Sequence, residues 1–524
     1  MTEPSALQRC LSDPGYTPPR KALRGLIASL AELEPEQALR VERCLASAGW
    51  SAAEVAGLSL VGAREELRIR VYALLGRFAD ENAPPGLFDL LGAGLEDDSE
   101  RCRRAAASAL GKLADARAEP LLIAALERAP LELARVLVEA LGKLGGAQTQ
   151  AALDAFSTSD PELQRRLTRA RLLLSRRLRR NEPSTLRLDR SLPRPHRILF
   201  ECRSGLADVL SEELTAFSPI KRAATAVEIE HAGSLRELLE ARTALHFGLI
   251  VTLSPGTASV EARVADALAA PATVSALTAW AEGAVRLRLE FRDAGHRRAL
   301  AWRIAEQLAA RAPNLVNDPR DPTFTVHIGA DAESELLIVP QFAEDPRFAF
   351  RKRDVPAASH PTIAAALARF AGVLPSDVVW DPFVGSGLEL AERARLGPYA
   401  RLVGSDIDPR ALNAARENLT SAGIPQFELV RADALTFAPP GLTLILTNPP
   451  MGRRVARDGS IGRLLEDFVA HASRVLPRGG RMVWLSVLDR RTERAARDAG
   501  FEVTQGPELD LGGFSARVQV LARQ

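Results

Sequence analysis

The chain has 524 residues, a length that predicts roughly three domains, with 46% hydrophobic and 26% charged residues and a formal net charge of +2. No run of eighteen apolar residues and no signal-like N-terminus occur, so neither a membrane partner nor an exported protein is expected. Cys10, Cys44, Cys102 and Cys202 are scattered without a CxxC pair, which suggests neither a disulfide framework nor a thiolate zinc site and fits a reducing cytoplasm.

In chain order the first signal is a repeat. ALLGRFAD (73–80), ALGKLADA (109–116) and ALGKLGGA (140–147) restate one phrase, with Gly76, Gly111 and Gly142 spaced 35 and 31 residues apart. Each phrase ends a helix that carries arginines, and another helical stretch follows, such as EPLLIAALERA (119–129). Paired helices with a period in the thirties predict an α-solenoid, in which each pair buries its apolar stripe only against its neighbours. The pattern resembles HEAT-like repeats over about 20–180, and the resemblance implies a scaffold for a protein partner. Residues 161–203 then hold thirteen arginines against four acids, Glu162, Glu182, Asp189 and Glu201. Such a strip reads either as a phosphate contact or as a solvated helix face.

NEPSTLRLDRSLPRPHR (181–197) has three prolines and no helical period, which predicts a linker. Beyond it RILFECRSG (197–205) reads as a strand with a glycine turn, and LADVLSEELTAF (206–217) as an amphipathic helix. The strands VRLRLEF (285–291) and FTVHIGA (324–330) flank the helix RALAWRIAEQLAARA (298–312). Mixed strands and helices of this kind predict an α+β unit. With LHFGLIVTL (245–253) and NDPRDPTFTVHIGADAESELLIVPQ (317–341), the order looks like a THUMP domain with its ferredoxin-like partner. That resemblance implies RNA binding by shape. The chain has FRKRDV (350–355) where the family carries RGYR.

VVWDPFVGSG (378–387) is an apolar strand ending in an acid and a glycine pair. Glycines there suit a tight turn where backbone approaches a ligand. The strand RLVGSDID (401–408) ends in acids about twenty residues on, where a ribose diol is expected, and FELVRAD (427–433) ends in Asp433. LTLILTNPPM (442–451) closes the series, so glycine turn, Asp406, Asp433 and Asn448-Pro449-Pro450 fall at successive strand ends. A dinucleotide site would need a third glycine at Leu390.

This combination resembles the class I S-adenosylmethionine-dependent methyltransferases that act on exocyclic amines, over about 356–524. The resemblance implies that Asp381, Phe383, Gly385 and Gly387 line the methionine and ribose parts of S-adenosyl-L-methionine. It places Asp406 on the ribose hydroxyls, Ile407 beside them, and Asp433 with Ala434 at the adenine. SHPTIAAALARF (359–370) matches the helix preceding the fold, which closes over the methionine end of the cofactor. Two prolines in succession make Asn448-Pro449-Pro450 a stiff, extended loop, expected to turn its carbonyls and amide outward. The Asn448 oxygen and the Pro449 carbonyl would accept the two N–H groups of a base amino group. Met451 stands where the family usually has an aromatic ring for stacking, and Arg453 and Arg454 read either as phosphate contacts or as a solvated loop end. His471 and Trp380 read as packed residues.

The predicted architecture is multidomain: HEAT-like α-solenoid (1–180), linker (181–196), α+β ferredoxin-like and THUMP-like module (197–355), and α/β Rossmann-like methyltransferase domain (356–524). The predicted activity is methyl transfer to a base amino group of structured RNA, guanine N2 in tRNA or rRNA by resemblance to the THUMP-bearing relatives. The alternatives are a non-catalytic RNA-binding scaffold with a degenerate methyltransferase domain, and a DNA adenine-amino methyltransferase.

Overall fold

A computed structural model describes residues 5–524 apart from 14, 49–53, 55–59, 61, 78–85, 181–182, 257, 293–296, 330–333, 357 and 452–459. Arg453 and Arg454 lie outside the described residues. Two compact units divide the chain, Met1–Pro183 and Ser184–Gln524. No described helix is long and apolar enough to cross a membrane.

The first unit is helical. Helices α1 (Glu65–Leu75), α2 (Glu100–Leu113), α3 (Leu131–Leu144) and α4 (Pro161–Arg180) pack on one another in succession, with shorter helices Leu87–Gly94, Glu119–Leu126 and Ala147–Ala155 between them. The repeated phrase is the contact itself. A Cβ on Gly76 would stand 2.7 Å from the Cα of Ala109, one on Gly111 2.9 Å from that of Ala140, and one on Gly142 2.8 Å from that of Ala170. Each Ala-Leu-Gly thus offers its alanine to the glycine of the helix before and its glycine to the alanine of the helix after. An acid–arginine pair recurs with the stack: Asp97 before α2 meets Arg68 of α1 at 2.9 Å, and Asp160 before α4 meets Arg135 of α3 at 3.2 Å. Asp160 also caps α4 by accepting the Leu163 amide at 2.7 Å.

These pairs bear on the arginine strip. Arg166 is engaged by Glu162 and Glu139, Arg171 by the Leu153 carbonyl, Arg187 by Glu282, Arg197 by Glu228 and Glu335, and Arg203 by the Asp510 carbonyl. Five of the thirteen arginines are thus engaged by the chain's own acids and carbonyls.

In the second unit, β1 (Ser184–Leu186) pairs antiparallel with β6 (Ala281–Gly283), so the stretch expected as a linker contributes a strand. Its prolines suited an edge pairing of three residues as well as they suited a linker. An eight-stranded sheet follows, built from β2 (His196–Cys202), β3 (Ile220–Ala223), β4 (Ala226–His231), β5 (Ala244–Thr252), β7 (Val285–Phe291), β8 (Leu315–Asn317), β9 (Phe324–Ile328) and β10 (Glu335–Pro340). Its order is β3-β4-β2-β5-β10-β9-β7-β8, and only β7 pairs in parallel, with β8 and β9. Alternation along β2 sends Ile198, Phe200 and Cys202 inward under the flanking helices.

The second sheet contains β11 (Val378–Asp381), β12 (Arg401–Asp406), β13 (Glu428–Arg431), β14 (Leu444–Thr447), β15 (Arg481–Ser486), β16 (Phe501–Asp510) and β17 (Ser515–Arg523), in the order β13-β12-β11-β14-β15-β17-β16. The first five are parallel and β17 runs antiparallel to both neighbours. Helices α5 (Pro361–Ala371), α6 (Leu388–Leu396), α7 (Pro409–Ser421), α8 (Ser460–Val475) and α9 (Asp489–Asp498) accompany it. Strand order reverses between β11 and β14, the switch point where open α/β sheets bind ligands at their C-terminal strand ends. Trp380 is fully buried there, edge-on to Phe437 and Phe468, and His471 hydrogen-bonds the Phe437 carbonyl at 2.9 Å.

One hydrophobic core runs through both sheets, from Leu192 to Val518. Polar locks reinforce it. Arg242 binds Glu392 through two hydrogen bonds of 2.6 and 2.5 Å, both side chains buried, and stacks over Phe348 at 4.6 Å. Arg369 of α5 reaches Glu213 at 2.7 Å, and Arg203 donates to the Asp510 carbonyl at 2.7 Å.

Candidate active site

The sheet order sets four chemistry-bearing strand ends side by side: Asp433 after β13, Asp406 ending β12, Asp381 ending β11, and Asn448 after β14. Asp381 is fully buried. Its Oδ1 accepts from Thr447 Oγ1 at 2.6 Å and from the Phe383 amide at 3.2 Å, while Oδ2 is buried with no partner among the described residues. Burial pushes this carboxyl well above the usual carboxylate range, the nearby Glu389 carboxylate adds to the rise, and the Thr447 and Phe383 hydrogen bonds oppose it. A buried carboxylate with an idle oxygen is suited to receive a cation.

The two glycines do different work. Gly385 has φ +48°, its amide donates to Asp406 Oδ2 at 3.2 Å, and nothing lies within 3.8 Å of a Cβ there, so its ligand side is open. Gly387, at φ +81°, would place a Cβ 3.2 Å from that of Ala415. It brings α6 close to α7 at this turn. Phe383 packs edge-on against Phe468 at 5.3 Å.

Asp406 Oδ1 accepts the Asp408 amide at 2.9 Å. Asp408 itself is the N-cap of α7, holding the Arg410 amide and guanidinium. Ile407, 68% exposed, is a large apolar side chain left in solvent beside the acid, as a stacking surface for a flat ring would be. Asp433 is exposed with Oδ1 on the Leu435 amide at 2.9 Å, and Ala434 is buried in the Trp380 cluster.

Asn448 departs from its expected pose. Pro449 is buried and Asn448 half-buried; the amide turns inward, its Nδ2 donating to Ser359 Oγ at 2.8 Å while Oδ1 is buried without a partner among the described residues. Ser359 in turn donates to Glu389 Oε1. Met451 is half-buried and packs on the main core.

Ser359, Glu389, Thr447 and Asn418 were not singled out from sequence. Asn418, fully buried on α7, uses its whole hydrogen-bonding capacity: Oδ1 accepts the Lys352 and Arg353 amides at 2.8 and 2.9 Å, and Nδ2 donates to the Arg353 and Ser386 carbonyls at 2.7 and 2.9 Å. It fastens the FRKRDV segment to the glycine loop. Its only sequence signal was an amide amid the alanines of an amphipathic helix.

The UPF0020 family model, an RMKL-like methyltransferase domain, matches residues 349–515, and HEAT repeats match 58–142 and 88–173. A tRNA (guanine(6)-N2)-methyltransferase of Thermus thermophilus is 32% identical over 334 residues, 61% of this chain and 97% of the relative. The chain belongs to the guanine-N2 RNA methyltransferase family. It is an S-adenosylmethionine-dependent methyltransferase with helical repeats added. A U6 snRNA (guanine-N(2))-methyltransferase, THUMPD2 of Bos taurus, is 28% identical over 236 residues, 44% of each chain. The crystal structure of TrmN from Thermus thermophilus superposes with a TM-score of 0.52 at 28% identity, covering 63% of this chain and all of that one.

The site of this methyltransferase fits S-adenosylmethionine on its own observations. The idle Oδ2 of Asp381 suits a positively charged group, Asp406 lies over the open Gly385 turn, and exposed Ile407 neighbours Asp433 along the strand ends. When bound, the cofactor supplies a methyl carbon made electrophilic by its sulfonium.

Proposed function

We propose that the protein methylates the exocyclic N2 of a guanine in structured RNA, tRNA before rRNA, with Asn448 and Pro449 as the acceptors that hold the amino group. The carrying observation is that Asn448 Oδ1, one strand away from Asp381, is buried without a partner among the described residues. An arylamine nitrogen is a weak nucleophile because its lone pair is delocalised into the ring. Hydrogen bonds from its two N–H groups to Asn448 Oδ1 and the Pro449 carbonyl raise density on nitrogen and align it, and the paired prolines fix both acceptors beforehand. The base leaves its stack to reach this loop, at a cost of a few kcal/mol.

Asp381, Phe383, Gly385, Gly387, Asp406, Ile407, Asp433 and Ala434 are assigned to the cofactor side, with Gly387, Phe383 and Ala434 shaping the pocket through packing. The eight-stranded module, with parallel β7 and β9 joined through a helix, is assigned as THUMP-like and as the reader of RNA shape. The helical repeats are assigned to a protein partner, and four buried free thiols support a reducing, cytoplasmic setting.

The test is methyl incorporation from labelled cofactor into tRNA and rRNA that lack the modification. Asn448→Ala is expected to lower kcat by roughly 100-fold or more with cofactor affinity within about threefold. Equal loss of cofactor binding would refute the division of roles, and transfer to DNA adenine alone would refute the substrate.

A further inference from the structure

We propose that Ser359 and Glu389 are positioning residues that fix which atom of Asn448 faces the substrate. The inference rests on the reading of Asn448 as acceptor of the base amino group. A side-chain amide fits the same space in two orientations that exchange oxygen and NH2. Only one is productive, because an NH2 turned toward the base would oppose donor to donor.

The choice is made by a hydroxyl. Ser359 has one proton and two lone pairs. Its proton goes to Glu389 Oε1, which accepts it when ionised, so its lone pair is what remains for Asn448; burial pushes this carboxyl upward and the Ser359 hydrogen bond opposes that rise. Nδ2 takes that position at 2.8 Å, which leaves Oδ1, buried and without a partner among the described residues, as the atom free for the substrate. The polarity of the chain from Asn448 through Ser359 to Glu389 is set at its carboxylate end. Three elements supply it: the loop after β14, the segment before α5 and the first turn of α6.

Glu389 accepts from Ser359 and has a carboxyl neighbour in Asp381. It is 4% exposed, and among the described residues no arginine or lysine pairs with it, whereas Glu392 one turn on is taken by Arg242. Burying a carboxylate without a cation is unfavourable unless strong hydrogen bonds replace water. An apolar side chain at 389 would fill that space more cheaply, and Ser359 would then be free to turn its proton toward Asn448 Oδ1.

The test compares Ser359→Ala, Ser359→Thr, Glu389→Gln, the Ala/Gln double variant and Asn448→Ala in the full chain, at saturating unmodified tRNA. Ser359→Ala is expected to lower kcat roughly 10- to 100-fold, with the cofactor Kd and the RNA KM each within about twofold. Ser359→Thr, which keeps the hydroxyl, restores most of kcat. Glu389→Gln is isosteric, but its amide can meet Ser359 with oxygen or with NH2, so the hydroxyl proton is no longer confined to residue 389 and kcat falls, by no more than in Ser359→Ala. The double variant loses no more than the worse single one, since the two changes break one chain. Additive losses, or singles within twofold of the parent while Asn448→Ala is inactive, would overturn this inference alone. Retention of kcat in Asn448→Ala would overturn the reading beneath it as well.

Discussion

With Asp381 assigned to the cofactor as proposed, cofactor binding is expected to be a proton-linked event. Its carboxyl is raised by burial in the free protein, and a cation beside Oδ2 stabilises the ionised form, so binding expels a proton. Affinity for S-adenosylmethionine therefore tightens as pH rises, until the pH passes the raised value of the free protein. Calorimetry in two buffers of different ionisation heat should show net proton release below that point. A pH-independent Kd, or unchanged proton release in Asp381→Asn, would contradict this. Met451 bears on the RNA side. Base stacking on an aromatic ring is worth about 1–3 kcal/mol and a thioether contact about 0.3–1.5 kcal/mol. Met451→Tyr should lower the RNA KM by about fivefold at unchanged cofactor affinity, and a rise in KM would show that the half-buried site rejects a ring.

At the scale of elements, contacts made by the chain's own phrases were legible and contacts across the fold were not. Ala-Leu-Gly announced the repeats because the same residues form each crossing, with Gly111 against Ala140. Gly111→Val should overpack that crossing, cost about 1–3 kcal/mol and lower the melting transition of the repeats without changing cofactor affinity. Asp406, Asp433 and the Asn-Pro-Pro loop were legible because parallel strands end on one edge. Asn418 and Ser359 were not, since their partners lie 65 and 89 residues away in sequence. Asn418→Ala strips hydrogen bonds from two amides and two carbonyls and should cost about 2–4 kcal/mol, seen as an earlier melt and a weaker cofactor Kd. Stability within about 0.5 kcal/mol of the parent would mean that solvent replaces the clamp.

Across the whole molecule, the arginine-rich strip illustrates why charge counting misleads. Formal charge sees every guanidinium alike, while Arg166, Arg171, Arg187, Arg197 and Arg203 are spent on internal acids and carbonyls. A chain reduced to 184–524 should keep cofactor affinity within about twofold. If the repeats touch RNA, its salt slope should shrink by about 0.9 for each lost phosphate contact; an unchanged slope would leave the repeats to a protein partner.

The core shared by the two sheets has a practical meaning for anyone recombining such enzymes. A graft that exchanged the eight-stranded module at residue 355 would cut Arg242 from Glu392 and Arg369 from Glu213, and would bare the apolar surface between Leu192 and Val518. The natural seam is at 183/184. The eight-stranded module and the methyltransferase sheet form one compact unit by their shared core, and they should be exchanged as a single part.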